Sequence, residues 1–473
     1  MISDSTLLRV LPKSTVDLVG DLVRGLLWGL VAIVWLAFLQ VYARLWRLPF
    51  TDPSSDFTIF YYTGRMVADG LPMYGASPAP YGIHWEAGHL GNLNPPHFQL
   101  LFHPLALLSY GRAFIVWTVL SLAALAMTIV LIVKALGVSL TWSRALGAGA
   151  LIVSSAAFTT VAVTWELTFF LMLPFTLAWI AARNGRWGSA GAWLGVCASF
   201  KLFFLLFVPW LVLQRRWRAL GAGAAAAVAC VLAGSTAYGI RTYAEWLDYL
   251  RIVGWEWIHM NASWPGLVAR AVRGHEGIMA AVWQAPALER GLSLAGSAIV
   301  CAVSLIAAWR VVAGAVWGRG LAPRPDPSGV SQAGAHGTGP TPRLEPARQD
   351  LAWLILLLAA VLASPLGWVY YMPLALGPLA GVLVSGTWKH LPPWGLLAIG
   401  IAAIGLWVPQ EVAASRQPSA LATLTLASSY FYATAALWLG ALAIALRTMH
   451  VGQGFKSVGQ GFSPAFFLDG VSE

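Results

Sequence analysis

Apolar runs of about 20 residues, parted by short polar or arginine-bearing stretches, recur along nearly the whole chain. As a helix, about 20 residues cross roughly 30 Å of hydrocarbon, and a backbone in lipid must satisfy its own hydrogen bonds. The pattern therefore predicts transmembrane helices. The first run, Leu26 to Leu45, is too long for a signal-peptide core and no small-residue cleavage site follows it, so it is expected to be retained. Spans are expected at residues 25–47, 112–134, 144–162, 166–182, 219–238, 291–316, 350–364, 367–386, 393–409 and 421–446.

Charge orients these spans. With Arg9, Lys13 and Arg24 on the cytoplasmic side, the first span leads outward, and residues 49–110 form an external loop holding Asp52, Asp56, Asp69 and Glu86 against Arg65 alone. One long span over residues 188–213 would put Arg215, Arg216 and Arg218 outside. Two shorter helices, at 188–199 and 202–214, meeting near Lys201 on the outer side restore the rule and bring the total to about 12. Residues 239–290 form a second external loop, in which Trp246, Trp255, Trp257, Trp264 and Trp283 suit the membrane surface. The Pro/Gly-rich stretch 317–349 reads as a disordered cytoplasmic loop. The tail, 448–473, repeats VGQGF and faces the cytoplasm with the N-terminus. The fold class is an all-α polytopic membrane protein with juxtamembrane helices on two large external loops, and the chain reads as one integral membrane unit.

Composition agrees: 58% of the 473 residues are hydrophobic and only 10% charged, with a mean hydropathy of +0.70, which excludes an ordinary soluble domain. The net charge of +10 does not point to nucleic acid, because the basic residues lie in clusters between apolar runs. Cys197, Cys230 and Cys301 all fall inside apolar runs and have no metal-ligand spacing. There is no nucleotide-phosphate loop and no nucleophile elbow. The histidines at 84, 89, 97 and 103 lack metal spacing with a carboxylate, so no cofactor or metal is expected.

The candidate chemistry starts at Asp56, in the stretch SSDFTIFYYTGRMVADGLPMY. A carboxylate just beyond the outer end of the first span suits a general base, accessible to water and to a lipid-borne molecule arriving sideways. It equally suits a helix cap, since Ser54, Ser55 and Asp56 are all good cap residues. Both readings stand on the residues alone.

Several segments, in order, shift that balance. The stretch from Asp56 through Tyr61, Tyr62 and Pro72 to Tyr74 is followed by NLNPPHFQLLFHPLALL, then by GSAGAWLGVCASFKLFFLLFVPWLVLQRRWRAL, NASWPGLVAR and SPLGWVYYMPLALGPL. Over residues 25–385 this order resembles glycosyltransferase family 87, the polyprenol-phosphate-mannose-dependent mannosyltransferases with the multispan GT-C fold. The chain departs from that pattern in two places. Tyr370 and Tyr371 stand where the family usually has histidine, and Glu166 stands where an amide is commoner.

The resemblance implies a sugar, most readily mannose, carried on a polyprenyl phosphate in the plasma membrane and transferred with inversion to a lipid or glycan acceptor on the outer side. It makes Asp56 the leading base. Lys201, Arg270 and Arg273 are candidates for the donor phosphate, although each also reads as a membrane-surface anchor. Glu166, Tyr61, Tyr62, His97, His259, Asn261, Trp264 and Tyr371 are candidates for sugar or acceptor contacts; helix-end electrostatics, core packing or an interfacial belt explain them equally well. Two rival functions are a transporter or flippase of lipid-linked sugars, with Glu166 and Lys201 in its pathway, and a noncatalytic assembly partner.

Overall fold

The computed structural model describes residues 13–45, 55–76, 79–81, 91–320, 344–417 and 419–451. Residues 321–343 of the expected cytoplasmic loop, residues 452–473 of the tail, and His84, Trp85 and His89 lie outside the described residues. The chain opens with α1 (Lys13–Leu45), α2 (Asp56–Ala68), α3 (Gln99–Ala106), α4 (Tyr110–Leu136), α5 (Trp142–Val153), α6 (Ala156–Thr164) and α7 (Thr168–Arg183). It continues through α8 (Trp187–Phe200), α9 (Phe207–Leu213), α10 (Trp217–Tyr238), α11 (Arg241–Ile252), α12 (Trp264–Val272) and α13 (Glu289–Gly320). The last helices are α14 (Leu344–Ala363), α15 (Leu376–Val384), α16 (Pro393–Trp407), α17 (Gln410–Ala414), α18 (Ala420–Thr425) and α19 (Ser429–Val451).

Among the described residues, six helical stretches are long and apolar enough to cross a membrane: Gly20–Gln40, Tyr110–Leu136, Trp217–Tyr238, Pro286–Ala313, Pro346–Ala363 and Ala420–Thr448. The pair α5 and α6, bent by 71°, makes a seventh if taken as one span. The other expected spans fold as shorter apolar helices, among them Thr168–Arg183, Leu202–Leu213, Val369–Val384 and Pro393–Trp407. Sequence periodicity counts apolar residues but does not sense a break, and each break has a local cause. At the α5–α6 bend, Ser155 takes extended geometry and its side chain accepts from the Phe158 amide, starting a new helix. At residues 369–375 the chain winds as a 3₁₀ helix containing Pro373, which has no amide hydrogen to donate.

The expected break near Lys201 is present. α8 stops at Phe200, Lys201 is extended at φ −138° and ψ 109°, and a 3₁₀ turn over Leu202–Leu206 leads into α9. Small residues then let α8 and α10 touch. A Cβ added at Gly191 would meet the backbone of Ala219, and one at Gly195 the backbone of Gly223. The sequence offset is the same in both pairs, so these two helices run parallel.

The order of the elements gathers particular ends. α7 leaves Glu166 and α8 arrives at Lys201, so both residues share one end of the bundle; α14 arrives at that end too and feeds Tyr370 and Tyr371. At the other end, Arg183 closes α7 by pairing with Asp350 of α14, whose second oxygen accepts from the Trp179 indole at 2.8 Å. A buried pair in which both charges keep partners fixes two helices against each other, and removing one partner costs far more than the pair contributes. Between the two ends, Phe175, Phe204, Phe207, Trp210 and Trp353 pack into a dry core. α1 stands apart with Leu26, Leu30 and Ile33 largely exposed, a surface suited to lipid, and it meets the bundle through Trp35, Phe38 and Tyr42.

Candidate active site

Ser55 begins α2. Its backbone is extended (φ −68°, ψ 148°), and its hydroxyl accepts from the Thr58 amide at 3.3 Å and bonds the Thr58 hydroxyl at 2.8 Å. The capping duty that competed for Asp56 thus belongs to Ser55. Asp56 is the first helical residue, where the positive end of the helix dipole favours a carboxylate. One face of α2 locks it in place: Phe57 packs on Phe114 at 5.1 Å between ring centroids, and Phe60 packs on Phe98 and Phe102 at 4.7 and 5.1 Å. A Cβ at Gly64 would lie 3.1 Å from the Ala106 side chain and 3.2 Å from the Phe102 carbonyl, so a larger residue there would push α2 away from α3.

Glu166 sits in the gap between α6 and α7. The residue before it, Trp165, has φ +53°, a left-handed conformation that costs a bulky side chain energy. The Trp117 indole donates to the Trp165 carbonyl at 2.9 Å and holds that turn. After the turn, Glu166 folds back so that Oε2 accepts from the Thr168 amide at 2.7 Å and the Thr168 hydroxyl at 2.6 Å. Its other oxygen lies 3.1 Å from Lys201 Nζ; Glu166 is 2% exposed and Lys201 15%. Lys201 also stands over the Tyr371 ring, 5.3 Å from its centroid, and interacts with the Tyr371 hydroxyl.

Asp56 faces this group. Burial pushes its carboxyl up from 3.8 to about 7, the negative charge of Glu166 adds to the rise, and Lys201 and the Thr164 hydroxyl oppose it. The charges of Asp56 and Glu166 also reach Tyr370 and Tyr371. Four distant stretches therefore supply one cluster: the start of α2, the α6–α7 turn, the α8 break and the 3₁₀ turn at 369–375. A carboxyl that is half ionised near neutral pH, set beside a fixed cation and two phenols, can accept a proton from a hydroxyl.

The other predicted residues fall elsewhere. Tyr61 is buried and its hydroxyl donates to the Leu108 carbonyl at 2.8 Å, while Tyr62 stacks with Tyr110 at 5.9 Å; both hold α2 to the α3–α4 junction. His97 Nδ1 bonds the Tyr243 hydroxyl at 2.9 Å, its ring packs on Phe200 beside Lys201, and burial pushes its pKa down to about 4. His259 is pushed down to about 4 by burial and by the charge of Arg270. Trp264 donates to the Leu292 carbonyl at 2.8 Å.

Asn261, Arg270 and Arg273 belong to a frame behind the cluster. Asn261 donates to the carbonyls of Pro365 and Glu256 at 2.7 and 3.0 Å and accepts from the amides of Gly367 and Ser263 at 3.1 and 3.2 Å. The amide of Val369 donates to the Met260 carbonyl at 2.9 Å, and Asn261 thus joins the 239–290 segment to the stretch that delivers Tyr370 and Tyr371. Arg270 is fully buried; burial pulls it down from 12.5 to about 9, which leaves it charged at neutral pH. It donates to the Ile258 and Asn261 carbonyls and to Ser428, each at 3.0 Å. Arg273 pairs with Glu289 and Glu256 near the surface. Of the three cations considered for a phosphate, Lys201 is the one whose charge bears on Asp56.

Sequence reasoning missed Thr164, Thr168 and the left-handed Trp165. The signal available was the polar triplet Thr164, Glu166 and Thr168 in an otherwise apolar region, the mark of a broken span. Among the described residues, no three His, Cys, Asp or Glu side chains cluster as metal ligands.

A helical bundle of this hydropathy, with a carboxylate and ammonium cluster at one end of its apolar helices, is an integral membrane protein with a polar site at the margin of its apolar layer. Residues 92–324 match the family model described as glycosyltransferase family 87. That match supports membership of the family, and the family implies a membrane glycosyltransferase acting between a sugar donor and an acceptor. The matched segment contains Glu166, Lys201, Asn261 and Arg270; Asp56 and Tyr371 lie outside it. No curated protein and no solved structure matches the chain significantly.

Proposed function

We propose that the protein transfers a hexose, with mannose the first candidate, from a polyprenyl phosphate to a hydroxyl of a lipid or glycan acceptor at the outer face of the plasma membrane. The acceptor oxygen forms a bond to the anomeric carbon as the bond from that carbon to the phosphate oxygen breaks. The hydroxyl proton passes to Asp56, and polyprenyl phosphate leaves with the bonding electron pair. Displacement from the side opposite the phosphate inverts the anomeric centre. The observation that carries this reading is Asp56 itself: released from capping by Ser55, raised to about 7, and facing Glu166, Lys201, Tyr370 and Tyr371.

In this reading Lys201 and the phenols of Tyr370 and Tyr371 receive the charge that develops on the departing phosphate. The tyrosines supply donors where relatives commonly have histidine, and Glu166 holds Lys201 in position until the substrate arrives. Asn261 and Arg270 support the segment that carries the tyrosines. Family membership favours transfer over the transporter and assembly-partner readings. The test uses purified full-length protein with a panel of polyprenyl-phosphate sugars and acceptors, reading release of polyprenyl phosphate. Asp56→Asn is expected to lower turnover by about 10² to 10⁴ with the helical fold intact. Full turnover by that variant refutes the base assignment.

A further inference from the structure

We infer that a cavity at the end of the bundle opposite Lys201 binds a phosphate group, carried either by a lipid headgroup or by a soluble phosphate compound. The cavity measures about 730 Å³ and is walled by Arg186, Arg215, Arg216 and Arg218 with Trp187 and Trp217, and none of its described lining residues is a carboxylate. That volume is in the range of small-molecule sites. It lies one full helix away from Asp56's partners: the 14 residues of α8 separate it from Lys201, roughly 21 Å.

The chain builds this cavity from two copies of one turn. Gly185 and Arg215 both take positive φ, 71° and 53°. Arg186 and Arg216 follow with nearly the same backbone, φ −83° and ψ 66° against φ −86° and ψ 59°, and a tryptophan then opens each helix, α8 and α10. Because α8 and α10 run parallel in close contact, their N-termini lie side by side, and neither has a side-chain cap. Arg216 is stacked on Trp187, 4.2 Å from the ring centroid, which anchors one guanidinium at the wall.

The guanidinium groups of Arg186, Arg215 and Arg218 repel each other around one space, and among the described lining residues there is no acid to offset them. A bound anion does so. Guanidinium forks match the geometry of phosphate, whose several oxygens can take more than one fork at once. The two flanking indoles suit the headgroup layer of a membrane. These arginines do not touch the cluster around Asp56, so the inference is independent of which sugar is transferred.

The test compares full-length protein with Arg186→Gln/Arg218→Gln and with the charge-preserving Arg186→Lys/Arg218→Lys. Both arginines are exposed, and thermal unfolding checks that the fold is kept. Native mass spectrometry measures retained phosphatidylglycerol against phosphatidylcholine, and calorimetry measures binding of inorganic phosphate. Retention of phosphatidylglycerol that falls about tenfold in the glutamine variant and survives in the lysine variant supports a lipid headgroup. Saturable phosphate binding that weakens about tenfold in the glutamine variant, without lipid retention, supports a soluble phosphate. Either ligand bound equally by wild type and the glutamine variant, or neither bound by wild type, overturns the inference.

Discussion

Glu166→Gln removes one negative charge beside Asp56 while leaving an oxygen that can still accept from the Thr168 amide and hydroxyl. The Asp56 carboxyl is raised from 3.8 to about 7, first by burial and next by Glu166, with Lys201 pulling the other way. A like charge at close range moves a carboxyl by about 1 pH unit or more. The substitution also leaves Lys201 without its 3.1 Å partner, so its positive charge bears undiminished on Asp56. Both effects lower the pKa.

In the proposed role of base Asp56 must be ionised, so kcat/KM is expected to fall as pH drops through the folded pKa near 7. In Glu166→Gln the midpoint of that acid limb moves to about 6, a change of about 1.4 kcal/mol in the proton affinity of one group. The assay is release of polyprenyl phosphate by purified wild type and variant across a pH series. A midpoint that stays near 7 or rises refutes the electrostatic coupling. A loss of rate with an unmoved midpoint assigns Glu166 to substrate contact instead.

Two further outcomes follow from the same geometry. Ser55→Ala removes the α2 cap and is expected to cost about 1 kcal/mol of stability. Its pH midpoint should stay near that of wild type because Asp56 does not cap the helix; thermal unfolding and the pH series together check this. Lys201→Met leaves Glu166 buried and uncompensated and is expected to cost about 3 kcal/mol, whereas Lys201→Met/Glu166→Gln recovers most of that loss. Equal unfolding temperatures for the single and double variants would show that the pair is not coupled.

The apolar runs alone determined that this is a membrane protein and where most of its helices lie, because lipid admits only long, internally bonded segments. They did not disclose the bend between Val153 and Ala156, the 3₁₀ turn at 369–375 or the short helices among the expected spans, since these arise from single capping residues and prolines that hydropathy averages away. The break at Lys201 was legible because a positive charge and the arginines after α9 forced it.

The site divides in the same way. A carboxylate at Asp56 and charges at Glu166 and Lys201 are conspicuous in an apolar chain. Arg270 and Arg273 carry the same conspicuous charge, yet they hold the 239–290 segment through carbonyls, Ser428, Glu256 and Glu289. Residue type reveals that a charge needs a partner, but which partner it meets depends on contacts between segments far apart in sequence. Ser55 rather than Asp56 became the cap, and the left-handed turn at Trp165 aimed Glu166 at Lys201. Only the tertiary structure decided those two points, because each depends on where the backbone turns and on what then stands in reach of the side chain.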